Sequence, residues 1–212
     1  MAGEVPITLA VEDELSEHLL RALLIQTKRN FLVGAVYGKR GSGYLKQKLF
    51  AFNNAAKGTG FVLVTDLDNC ACVPVLIQDW FVCALSEFSK RKHKNLAFRV
   101  AVREIESWVL ADREQFADHF GLSKHLIPQQ TDTIADPKQF LLQIVSKCRK
   151  RSLRDDIVPR TGDKRKVGPD YNGRLGEFIH VRWRAEVAIL HSASLERTWN
   201  FLRLFHPVFK TR

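Results

Sequence analysis

The sequence predicts an α/β fold, a largely parallel sheet flanked by helices, with a helical, basic C-terminal extension. Three observations carry it. Four apolar runs alternate with stretches of helical periodicity over the first half of the chain. Three of those runs end in acidic residues, and nearly all the excess positive charge lies in the last third. Hydrophobic residues at 45% and charged residues at 26% of 212 exclude intrinsic disorder and low-complexity classes.

The first apolar run, residues 7–11, closes at Glu12 and feeds DELSEHLLRALL, whose leucines recur at helical spacing. Residues 31–37 (FLVGAVY) read as the second strand, GKRGSGY as a basic glycine-rich turn, and 44–57 as a helix. The third run, FVLVTDLD after Gly60, is a buried strand closed by two aspartates, followed by a helix over about 75–89. A basic loop, SKRKHKN, precedes the fourth strand at 96–102, which passes into REIESWVLAD. Asp112 with Gln115 and Asp136 with Pro137 are helix starts, and Gly121 is a stop. Residues 157–176 form a long irregular basic loop, with helices over 175–189 and 195–205 beyond it. A core over 1–115 and an extension over 116–212 are the expected organisation.

No run approaches the ~18 apolar residues of a membrane span, and MAGEVPITLA lacks the basic start and greasy stretch of a secretion signal. A soluble cytoplasmic protein without a membrane partner is expected. Cys70, Cys72, Cys83 and Cys148 lack zinc-site spacing and read as buried thiols in a reducing compartment. The histidines form no HExxH pair, no G-x-S-x-G elbow occurs, and the glycine-rich segment lacks the Walker spacing.

Residues 1–142 hold 17 Lys+Arg against 16 Asp+Glu, whereas residues 143–212 hold 16 against 7, out of a formal net charge of +10. A neutral front and a cationic rear suit a nucleic-acid partner. Ligands of open α/β sheets bind outside the carboxyl ends of the strands. There the first strand supplies Glu12, with Asp13, Glu14 and Glu17 behind it, the third Asp66 and Asp68, and the fourth Glu104 and Glu106. Carboxylates converging on one edge repel unless cations such as Mg²⁺ or Mn²⁺ occupy the cluster. Alternate residues of an extended strand point the same way, which would put Asp66 and Asp68 on one side. Glu104 and Glu106 would share a face only if still extended.

A glutamate closing the first strand and a D-x-D closing the third resemble a TOPRIM-type domain, the metal-binding unit of topoisomerases, primases and several nucleases. REIESWVLAD is similar to the segment after the fourth strand in OLD (overcoming lysogenization defect) nucleases and in small TOPRIM-like proteins of bacterial defence loci. The resemblance covers about residues 5–115. It implies that Glu12 is a general acid/base or metal ligand, that Asp66 and Asp68 hold a second metal, and that Glu106 or Glu104 completes a site. It also implies a Mg²⁺- or Mn²⁺-dependent nuclease, with a role in phage defence. In this chain Asp13 stands where the nuclease pattern has glycine and Ser16 where it has a second glutamate. That leaves Asp13, Glu14 and Glu17 as competing ligands.

A cation near the scissile phosphate is the usual complement, and Lys164, Lys166 and Arg160 in the long loop are the candidates, with Arg103 in reserve. Lys39 and Arg40 before a helix N-terminus, Arg182, Arg184 and Tyr171 are candidate nucleic-acid contacts. Trp183 reads as core. The alternatives are a non-catalytic nucleic-acid-binding or regulatory module and a subunit needing an ATPase partner protein. A homo-oligomer is compatible with either.

Overall fold

A computed structural model describes residues 3–85 and 92–209. The four apolar runs form β1 (Val5–Val11), β2 (Phe31–Gly38), β3 (Gly60–Asp66) and β4 (Leu96–Ala101). They pair in the order β2-β1-β3-β4, every neighbour parallel. Parallel sheets are covered on both faces, and central β3 is accordingly buried at all seven residues. The period of two divides the side chains between two cores. Val62 and Val64 join Ile7, Leu9 and Val11 under α1 (Glu14–Gln26), while Phe61 and Leu63 join Leu45, Leu49 and Leu76 of α2 (Gly41–Ala55) and α3 (Val73–Leu85). The expected helix beyond Leu85 and the start of the basic loop, residues 86–91, lie outside the described residues.

The second half is helical: α4 (Glu106–Ala111), α5 (Arg113–Phe120), α6 (Pro137–Val145), α7 (Arg151–Ile157), α8 (Tyr171–Val181), α9 (Ala185–Ala188) and α10 (Ala193–Leu204). Its caps match the sequence signals. Asp112 accepts from Gln115 N (3.3 Å), Asp136 from Gln139 N (2.9 Å), and Gly121 takes the left-handed conformation with φ 63°. Two expectations are corrected. The irregular stretch expected over 157–176 gives way to α8 already at Tyr171, and the helix expected over 175–189 is two helices, because tertiary bonds hold the chain open between them. Trp183 is buried and its indole donates to Trp108 O (3.0 Å), Gln26 Oε1 accepts from Ala185 N (2.7 Å), and the Arg184 backbone and guanidinium grip Asp112.

Among the described residues, those of the extension, beyond 115, pack into the same core as the sheet. Phe116, Phe178, Leu195 and Trp199 belong to the same buried cluster as β1, α1 and Trp108 of α4. Its end is tied down as well. Arg29 donates to the Leu202 carbonyl (3.1 Å) at the end of α10, and buried Asn95 accepts from Val208 N (2.8 Å). Cys148 is buried as expected, whereas Cys70 is half-buried and Cys72 exposed, since both sit in the loop after β3; the Cys83 side chain lies outside the described residues. Among the described residues no helix is long and apolar enough to cross a membrane.

Asp112 has no side-chain exposure, so removing its partner strands a buried charge. Arg184→Ala is therefore expected to cost about 3 kcal/mol, the low end for breaking such a pair because Arg184 itself is partly exposed. Exposed Arg182→Ala should cost within ~0.5 kcal/mol. Urea denaturation of both variants checks this, and equal losses would remove the structural role of the Arg184 pair.

Candidate functional site

Parallel strands bring their carboxyl ends to one edge. Glu12 follows β1, Asp66 closes β3 and Glu106 opens α4 just after β4. Glu12 Oε1 accepts from the Thr65 hydroxyl and from the Asp66 backbone N–H (2.9 Å), locking the β1 end onto the β3 end. Asp66 is buried, and its Oδ1 has no hydrogen-bond partner among the described residues. Glu106 has no exposure: Oε1 accepts from the Tyr171 hydroxyl (2.8 Å) and faces Lys138 Nζ (3.3 Å), and Oε2 is buried without a partner among the described residues.

These groups act on one another. Burial, then the charges of Glu12, Glu106, Asp13 and Asp68, pushes the Asp66 carboxyl well above the usual carboxylate range. Burial also raises Glu12, outweighing the hydrogen bonds from Thr65 and Asp66. Glu106 is pushed up to about 7 by burial, against the pull of Lys138. Lys138 is itself partly desolvated, yet the charges of Glu106, Glu104 and Asp13 hold it firmly protonated.

Asp68 departs from the expected geometry. The strand has ended, and Asp68 sits at φ 49°, its N–H donating to Arg103 O (2.8 Å) while Arg103 donates back to Asp68 O (3.0 Å). Strand alternation therefore does not align it with Asp66, and it is exposed while Asp66 is buried. Its charge still reaches both Glu12 and Asp66. Glu104 likewise lies beyond the end of its strand at Ala101, and its Oε2 accepts from Lys138 N (2.8 Å), anchoring the first turn of α6. Asp13 caps α1 by accepting from Ser16 N (2.8 Å).

Glu17 is paired with Arg21 and Lys39 (both 2.7 Å). Burial would raise it, but hydrogen bonds from those two cations hold it low. Glu14 is exposed. Lys39 is thus engaged, and Arg40 stacks over the Tyr44 ring (5.4 Å). Next to them a cleft of about 340 Å³ is bordered by Ser42, Gly43, Lys46, Asp66 and Asp68, joining the glycine-rich segment to the aspartates.

Arg160, Lys164 and Lys166 are exposed, and none bonds to a cluster carboxylate among the described residues. The cation lodged in the cluster is Lys138, which the sequence reading missed. Its signal was slight: it follows Asp136-Pro137 and so falls in a first helical turn. Tyr171, expected to meet a nucleotide, is 5% exposed and directed at Glu106, so its ring has no open face for a base. Arg182 is exposed, while Arg184 is committed to Asp112 and Glu114.

The donors are all carboxylate oxygens, the set that Mg²⁺ and Mn²⁺ prefer, and two of them are buried with nothing to bond. In donor chemistry the cluster fits a hard divalent cation. Among the described residues no three acidic, imidazole or thiol groups are yet gathered into a metal shell, so binding would have to draw the carboxylates together. Comparison with family models, curated proteins and solved structures returns no match.

Glu106 ordinarily titrates near 4.5 and here near 7. Stability from its protonated form is full below 4.5 and is lost as the pH rises through about 7. The melting temperature is expected to fall by roughly 5 °C across that window, and Glu106→Gln should flatten the decline. Thermal melts at stepped pH measure it; parallel profiles for the two proteins would assign the titration to another group.

Proposed function

We propose that this protein is a divalent-metal-dependent phosphodiesterase acting on nucleic acid, a nuclease of TOPRIM-like design. The observation that supports it most is the meeting of Glu12, Asp66 and Glu106 at one sheet edge with two buried carboxylate oxygens lacking partners. Asp66 and Glu106 would hold a Mg²⁺ or Mn²⁺ ion, with Asp68 and Asp13 close enough to add charge. Such an ion supplies Lewis acidity toward a phosphoryl oxygen and lowers the pKa of water.

The chain's own residues do the rest. Glu12 Oε1 is fixed by Thr65 and Asp66, which leaves Oε2 to take a proton from attacking water. Lys138, held protonated and about a third exposed, offers positive charge to the phosphoryl oxygens as attack proceeds. Tyr171 keeps Glu106 in place. The cationic residues 143–212 supply the attraction for a polyanion. Phage defence, as the sequence resemblance implies, belongs to this proposal.

Lys138 also favours a second reading. Its ammonium already balances Glu106, which suits a module that binds nucleic acid without cleaving it, alone or beside an ATPase partner. The two readings part under chelation. Plasmid DNA and structured RNA incubated with Mg²⁺ or Mn²⁺ should be cut by the native protein, and EDTA should stop cleavage. Asp66→Asn and Glu12→Gln should each lower the rate by ~100-fold or more, and Lys138→Met by about 100-fold. Equal rates in native protein and Asp66→Asn would overturn the nuclease. Salt-sensitive binding that ignores EDTA, with no cleavage, would select the binding module.

A further inference from the structure

β4 is an edge strand, and beside its free edge lies a second pocket of about 380 Å³. It shares no lining residue with the cleft at Asp66. Val73, Pro74 and Ile77 of α3 form one wall, and Arg99 of β4 and Arg197 of α10 stand in the other. Arg99 points toward α10, on the face opposite Phe98, and its guanidinium lies over the Phe201 ring (4.0 Å).

This guanidinium is incompletely satisfied. Its Nε is buried with no hydrogen-bond partner, and neither Arg99 nor Arg197 has an ion pair among the described residues. Burial and the charge of Arg197 both lower the pKa of Arg99, and the field of Arg99 in turn reaches Lys92. Arginine cannot shed its proton to escape such a setting. Two like charges facing one pocket therefore repel until an anion is placed between them. Arg184, by contrast, is neutralised by its pair with Asp112.

The pocket is large enough for a small organic molecule, and its walls are of two kinds. A phosphomonoester carries close to two negative charges near neutral pH, matching two arginines where a carboxylate or a phosphodiester brings one. Arg forks bind phosphate oxygens in bidentate fashion. We propose that this pocket binds an organic phosphomonoester of nucleoside size, its phosphate on Arg99 and Arg197 and its apolar part against Val73, Pro74 and Ile77. The site stands apart from the carboxylate cluster and does not rest on the nuclease reading.

Isothermal titration of the full chain tests it with adenosine and uridine 5′-monophosphates, adenosine, inorganic phosphate and a peptide with a free C-terminal carboxylate. At least one nucleoside monophosphate should bind about tenfold or more tightly than adenosine, phosphate or the peptide. Arg197→Gln, a change at an exposed helix position, should weaken binding about tenfold or more while leaving the melting temperature unchanged. Arg99→Gln should do the same to binding. If Arg99→Gln does not fold, Arg197→Gln alone decides. Asp66→Asn should leave the titration unchanged, so a failed nuclease and a failed pocket are told apart. No binding of either monophosphate by the native protein, tighter binding of the peptide, or undiminished binding by Arg197→Gln would each overturn the proposal.

Discussion

Glu106 is a carboxylate with no solvent exposure, and a charge in that position costs several kcal/mol unless something offsets it. What offsets it comes from far along the chain. Lys138 arrives on α6 and Tyr171 on α8, both from the C-terminal half. Glu104 fixes where α6 begins by accepting from Lys138 N, so one short acidic segment places both the helix and the ammonium. The α8 helix also packs along α1, where His18 of α1 meets Gly176 and His180 of α8. The polar contacts of Glu106 tie residues 138 and 171 to the sheet's own edge, beside the apolar core that the later helices share with β1 and α1.

A buried carboxylate is not in itself a sign of chemistry, and this protein contains the control. Asp112 is as deeply buried as Glu106, and its oxygens are fully occupied: Oδ1 accepts from Gln115 N and Arg184 Nη2, and Oδ2 from Arg184 N and Nε. That is how the fold treats an acid whose task is to hold loops together. Asp66 and Glu106 are treated differently. Each keeps one buried oxygen with no donor, and around Asp66 the neighbouring charges are carboxylates. Repulsion is retained at this edge where, a few residues away, the same chain removed it. The cation of the proposed function would give that arrangement a reason.

The sheet and the strand-end acids were legible because they depend on local chemistry: an apolar run closed by Glu12 or by Asp66 reads the same way in sequence and in space. Caps at Asp112 and Asp136 were legible on the same ground. What could not be read was pairing over distance. Nothing near Tyr171 announces Glu106, 65 residues earlier, and nothing in RWRAE shows that Arg184 is spoken for by Asp112, so its break from helix was invisible. Asp68 failed for a different reason. The period of two applies only while the strand lasts, and the Arg103 backbone turns the chain aside at that residue.

The charge distribution gains a sharper meaning from these positions. A formal +10 counts Asp66 and Glu106 as fully ionised, yet burial and mutual repulsion hold both carboxyls toward their neutral forms. At neutral pH the acid edge is therefore less negative than the sequence suggests, and the polyanionic substrate proposed above would meet a weaker barrier there. Under the proposed function, a divalent cation would displace those protons, because carboxylates bind metal only when ionised. The repulsion among Asp66, Glu12 and Glu106, unfavourable in the free protein, would then be relieved by the ion and would add to its affinity.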